Sequence, residues 1–94
     1  MTDQETFEHL ETIRTIRGKR WRRLCDALND EPQRTNLPLR FNRERCALCT
    51  RNEKSHGLFT YRRRNGQEFL VGHRCAEYLD YFNRNPQYAR DFCR

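Results

Sequence analysis

Residues 45–81 read RCALCTRNEKSHGLFTYRRRNGQEFLVGHRCAEYLDY, and within them Cys46 and Cys49 make one close pair while His73 and Cys75 make another. Two pairs of soft or borderline ligands, separated by 23 residues, have the arithmetic of a tetrahedral zinc site. Zinc closes a structural shell with thiolate sulfur and imidazole nitrogen, and three Cys with one His is a usual set. The spacing therefore predicts one structural Zn²⁺ held by Cys46, Cys49, His73 and Cys75. Residues at i and i+2 of a regular helix point about 200° apart, so His73 is expected just ahead of the helix that carries Cys75. His56 and Cys93 are the alternatives for the fourth position. A redox role for the Cys46 pair would need a βαβ pattern around it, and none is present.

Working outward, Leu58 to Tyr61 are strand formers, Asn65-Gly66 predicts a type I′ hairpin turn, and Phe69 to Val71 return as a second strand. Gly72 breaks that strand, and Cys75, Ala76, Leu79 and Phe82 mark a helix to about Asn83. Asn85-Pro86 has the form of an N-cap followed by the first helical residue, opening a short terminal helix over 85–93. On the amino-terminal side, residues 31–44 hold Pro32 and Pro38 and read as an extended connector. Residues 3–30 read as helical. Thr2 and Glu5 have capping-box spacing, and Phe7, Leu10, Ile13 and Ile16 follow along a first helix from about Asp3 to Arg17. Trp21, Leu24, Cys25 and Leu28 form the apolar face of a second stretch, so Cys25 is core rather than ligand, and His9 is a solvated helix residue. Gly18 either separates two helices or weakens one.

A cysteine knuckle, a hairpin and a helix whose start carries the second ligand pair resembles a treble-clef zinc finger. The stretch from CALC to EFLVGHRCAEYL is similar to small bacterial and phage proteins with a CxxC knuckle, a hairpin and a VGxxC helix start. The resemblance spans Arg45 to Tyr81. It implies a single small α+β, metal-stabilised domain over 1–94, with two amino-terminal helical segments packed on a zinc finger at 45–83. It departs from the commonest pattern, in which the helix supplies Cys-x-x-Cys, because here the pair is His73-x-Cys75.

Composition agrees with a domain that needs a metal. Only 35% of its 94 residues are hydrophobic and 34% are charged, too little apolar surface for a generous core. A structural zinc supplies roughly 10–16 kcal/mol of apparent binding free energy at neutral pH. Five cysteines would strand one thiol in a disulfide framework, which favours a reduced, intracellular, cytoplasmic setting. The amino terminus lacks a signal-peptide layout, and no apolar run nears the roughly 18 residues of a membrane span.

The formal charge is +6, and seventeen of the nineteen basic residues are Arg. Three thiolates and one Zn²⁺ lower that total by one, and the basic character survives. Arg20, Trp21, Arg22 and Arg23, with Arg62, Arg63 and Arg64 on the hairpin, are the candidate surface for nucleic acid. The alternative is a phage or mobile-element regulator or inhibitor that uses Arg and aromatic anchors on an acidic surface of a host protein. A nuclease of the HNH kind is the least favoured reading. It would need an open metal site and a catalytic His, and Lys54-Ser55-His56-Gly57 offers His56 no carboxylate neighbour. No catalytic residue is assigned.

Overall fold

Thr2 starts the first helix as its sequence predicts: its hydroxyl accepts from the Glu5 amide at 3.1 Å while the Glu5 carboxylate accepts from the Thr2 amide at 3.3 Å. A computed structural model of the chain describes residues 1–41, 44–51 and 56–94. Helix α1 spans Asp3–Ile16 and ends where Arg17 enters the left-handed region at φ 53°. Gly18 then caps α2, Lys19–Leu28, so the glycine separates two helices instead of bending one. Strand β1 is Gln33–Arg34, β2 is Phe59–Arg62, β3 is Glu68–Val71, α3 is His73–Arg84 and α4 is Pro86–Phe92. The fold is a small α+β arrangement of four helices and a three-stranded antiparallel sheet in the order β1-β2-β3.

Part of the expected connector joins the sheet. Gln33 pairs with Arg62 and Arg34 with Tyr61, and an isolated bridge links Arg40 to Leu58. Asn42 and Arg43 at its end, and Lys54 and Ser55 before His56, lie outside the described residues.

The hairpin forms but not with the expected turn. A type I′ turn needs positive φ at both central residues, and only Gly66, at 91°, has it. Instead the Gly66 amide donates to the Arg63 carbonyl at 2.9 Å and the Arg63 amide to the Gln67 carbonyl at 2.8 Å. This is a three-residue loop closed by a left-handed glycine, with the Asn65 side chain accepting from the Gln67 amide. Asn85 likewise sits at the N-cap of α4, yet its side chain makes no cap bond; its amide nitrogen donates to the Tyr81 carbonyl at the end of α3.

The core is organised around α3. Ala76, Tyr78, Leu79 and Phe82 are buried on it, meeting Leu10 and Ile13 of α1, Leu24 and Ala27 of α2, Tyr61 and Val71 of the sheet and Phe92 of α4. Each fully buried Leu or Phe contributes about 1.5–3 kcal/mol by leaving water. Tyr61, fully buried in β2, donates to Asp80 at 2.7 Å and accepts from the Arg34 side chain at 3.2 Å, which locks β1, β2 and α3 together. His9 is half-buried rather than solvated, its Nδ1 lying 3.2 Å from the Tyr78 hydroxyl. No helix among the described residues is long and apolar enough to cross a membrane.

Candidate metal centre

The knuckle is built by backbone hydrogen bonds. The Thr50 amide donates to the Cys46 carbonyl at 2.8 Å, the Cys46 amide to the Arg51 carbonyl at 3.1 Å, and Thr50 itself adopts φ 60° to close the turn. The Ala47 amide donates to the Leu70 carbonyl at 2.8 Å, which pins the knuckle to β3 and hence to the start of α3 one turn away. Cys75, the third residue of α3, then faces Cys46 and Cys49, and the three sulfurs all lie within 4.8 Å of one another. Tetrahedral zinc with sulfur at about 2.3 Å separates its thiolates by roughly 3.8 Å, so this spacing fits a metal after small adjustment.

The electrostatics also fit a cation. Cys46 and Cys75 are each only 1% exposed, at the edge of the hydrophobic core. Hydrogen bonds from the Cys49 and Cys75 thiols, helped by the Gly72 and Cys49 amides, hold the Cys46 thiol far below its ordinary range. The same two neighbours, with burial, push the Cys75 thiol far up. Three sulfurs so close cannot all ionise on their own, and a metal dication would replace the shared protons. When bound, such an ion cross-links the knuckle to the amino-terminal end of α3. These three residues suit a soft or borderline cation.

His73 does not join them. It is the first residue of α3 rather than the residue before it, so the helix turns its side chain away from that of Cys75. Its Nε2 donates to the His56 carbonyl at 2.7 Å, and its ring lies 4.7 Å from the ring of Phe59 and 5.6 Å from that of His56. His56 is exposed and also outside the thiol cluster. Cys93 is remote from it too: it hydrogen-bonds the Cys25 thiol, and both are half-buried against the core at the junction of α2 and the carboxyl end.

The candidate binding residues divide in the same way. Arg62 pairs with Glu68 at 2.8 Å, Arg63 with Asp30 at 2.7 Å, and Arg64 with Glu31, so the hairpin triplet is neutralised by the chain itself. Trp21 is half-buried, its indole nitrogen donating to the Phe92 carbonyl at 2.8 Å while the Arg17 guanidinium covers the ring at 4.8 Å. Arg22 is exposed. Arg20 and Arg23 turn toward the cysteines and, with Arg51 and Arg74, line a pocket of about 200 Å³ whose wall includes Cys49 and Cys75. The Arg20 guanidinium reaches the Cys75 sulfur at 3.7 Å. Arg51 and Arg74 escaped the sequence reading although each stands near a candidate metal ligand, two residues after Cys49 and one before Cys75. Their adjacency was the available signal. No family model, curated protein or solved structure matches this chain.

Proposed function

We propose that the chain is a small zinc-stabilised protein of treble-clef type that binds the phosphate backbone of nucleic acid through the arginines around its metal centre. One observation carries this reading. The basic residues near the cysteines are unneutralised, whereas those of the hairpin are paired. Among the described residues, Arg20, Arg23, Arg51 and Arg74 make no ion pair with any carboxylate, and they meet on one face. An unneutralised cluster of guanidiniums is the footprint of a phosphate-binding surface. The zinc would hold α3 and the knuckle in fixed relation, so that arginines from α2, the knuckle and α3 act together without reorganising.

The test is fluorescence anisotropy with labelled 5′-hydroxyl single- and double-stranded oligonucleotides of DNA and RNA across a salt series. Affinity should fall steeply with salt, the slope reporting about two to four phosphate contacts. Absence of binding at low salt would sink the reading. A host-protein partner remains the second reading because Phe41 and Leu37, in the connector, are 65% and 50% exposed, which is apolar surface a partner could cover.

A further inference from the structure

The pocket beside the cysteines is basic, and among the described residues that line it there is no carboxylate. Four arginines line it together with Cys49 and Cys75. With a dication bound, three thiolates retain one negative charge, which leaves the pocket strongly positive. One of the four is also incompletely satisfied: Arg20 Nε is buried with no hydrogen-bond partner among the described residues, while the same side chain is held by the Cys75 sulfur and by the Tyr78 ring, 5.2 Å from its guanidinium carbon. A buried donor without an acceptor costs roughly 1–3 kcal/mol. Arg23, Arg51 and Arg74 come from three separate segments, and each would gain a charge-assisted bond from one anion placed between them.

We propose that this pocket is a phosphomonoester site, taking the terminal phosphate of a nucleic-acid strand or free phosphate through Arg20, Arg23, Arg51 and Arg74. A pocket of about 200 Å³ holds one phosphate with a few waters, since a liquid water takes about 30 Å³. Cys49, Gly72 and Cys75 complete its lining. A phosphodiester within a strand carries sugar on both sides and one charge. A monoester carries sugar on one side only and close to two charges at neutral pH, which suits a small site lined by several guanidiniums. The proposal deepens the nucleic-acid reading and rests on it only for the source of the phosphate.

The experiment uses the metal-loaded full chain, with Co²⁺ in place of the native ion, and three probes: inorganic phosphate, a 5′-phosphorylated oligonucleotide, and the same oligonucleotide with a 5′-hydroxyl. Bound phosphate should show a ³¹P resonance broadened by the nearby paramagnetic Co²⁺. The phosphorylated strand should bind at least about tenfold more tightly than its hydroxyl counterpart. The double variant Arg23→Gln, Arg74→Gln should lose both effects with cobalt content unchanged, while Arg62→Gln, Arg64→Gln should keep both. Neither pair of side chains is needed for the core, so loss of fold does not confuse the comparison, and circular dichroism confirms it. Phosphate binding without any oligonucleotide binding supports the pocket and removes the nucleic-acid source. Equal binding of the two strands with no phosphate titration overturns the pocket and leaves general backbone binding intact. Phosphate binding that persists in the Arg23, Arg74 double variant also overturns it.

Discussion

At the scale of single residues, the three cysteines were legible because thiolates have few other reasons to occur in such a spacing in so polar a chain. His73 lies outside the cysteine cluster for a reason of one residue: a helix begun at His73 separates it from Cys75 by two positions and turns the imidazole toward Phe59 and His56. The boundary of a helix is the least sharp thing in a sequence, and here it places the imidazole outside the cluster of sulfurs. Prediction follows from the geometry. His73→Ala should retain about one metal per chain, while Cys75→Ser should lose it, because the serine hydroxyl is a poor replacement for a thiolate on a soft or borderline ion. Metal analysis after gel filtration decides this. Loss of metal from the His73 variant equal to that from the Cys75 variant would return the imidazole to the shell.

At the scale of elements, helix existence followed from apolar spacing, but one local detail escaped. Asn-Gly signalled a hairpin, yet the turn was set by strand register, since Arg62 pairs with Glu68 and leaves a loop too long for a two-residue turn. Gly66 is the residue that cannot change: its φ of 91° is strained for any L side chain, although a Cβ there would meet nothing within 4 Å. Gly66→Ala should therefore destabilise by about 1–2 kcal/mol through backbone strain alone, seen as a lower urea midpoint with unchanged slope. An unchanged midpoint would mean the loop adopts another turn. Helix α2 gives a second prediction through its carboxyl-end partner. Burial, and then the hydrogen bond to Cys93, push the Cys25 thiol well above its ordinary range, and burial raises Cys93 as well. Both should stay protonated at pH 8 and react slowly with iodoacetamide in the folded protein. Cys25→Ser should leave metal content unchanged. Rapid alkylation of Cys25 in the native protein would contradict the burial that places it between α2 and the carboxyl end.

At the scale of the molecule, charge total was legible in the sequence but charge placement was not. Seventeen arginines suggested a basic surface made by Arg20 to Arg23 and the hairpin triplet, whereas folding brings Asp30, Glu31 and Glu68 to neutralise the triplet and gathers Arg20 and Arg23 with Arg51 and Arg74 beside the cysteines. The pairings of Arg63 with Asp30 and of Arg64 with Glu31 each span 33 positions and have no local signature. Alkaline pH tests the packing as a whole. Burial, and after it the Glu11 charge, push the Tyr88 phenol up to about 12, and burial with the Asp80 hydrogen bond raises Tyr61 further. An unfolded tyrosine ionises near 10. The folded state thus favours the neutral phenols: their contribution is full below pH 10 and is lost as pH rises toward 12. Urea midpoints at fixed metal content should fall between pH 9.5 and 11.5, and a rise would contradict the burial.

Metal removal tests whether these parts form one cooperative unit. The sulfurs of Cys46 and Cys75 are buried in the same cluster as Leu24 of α2 and Leu10 of α1, and Trp21 connects α2 to the carbonyl of Phe92. A chain with so little apolar surface has no reserve to hold α1 and α2 in place once the knuckle separates from α3. Chelation should therefore shift Trp21 emission to longer wavelength and reduce helical circular dichroism with the same midpoint in chelator concentration. Two separated transitions, with the helical signal surviving after metal release, would show that α1, α2 and α4 fold around α3 without the ion. In that case the metal would order only the knuckle and the arginines beside it.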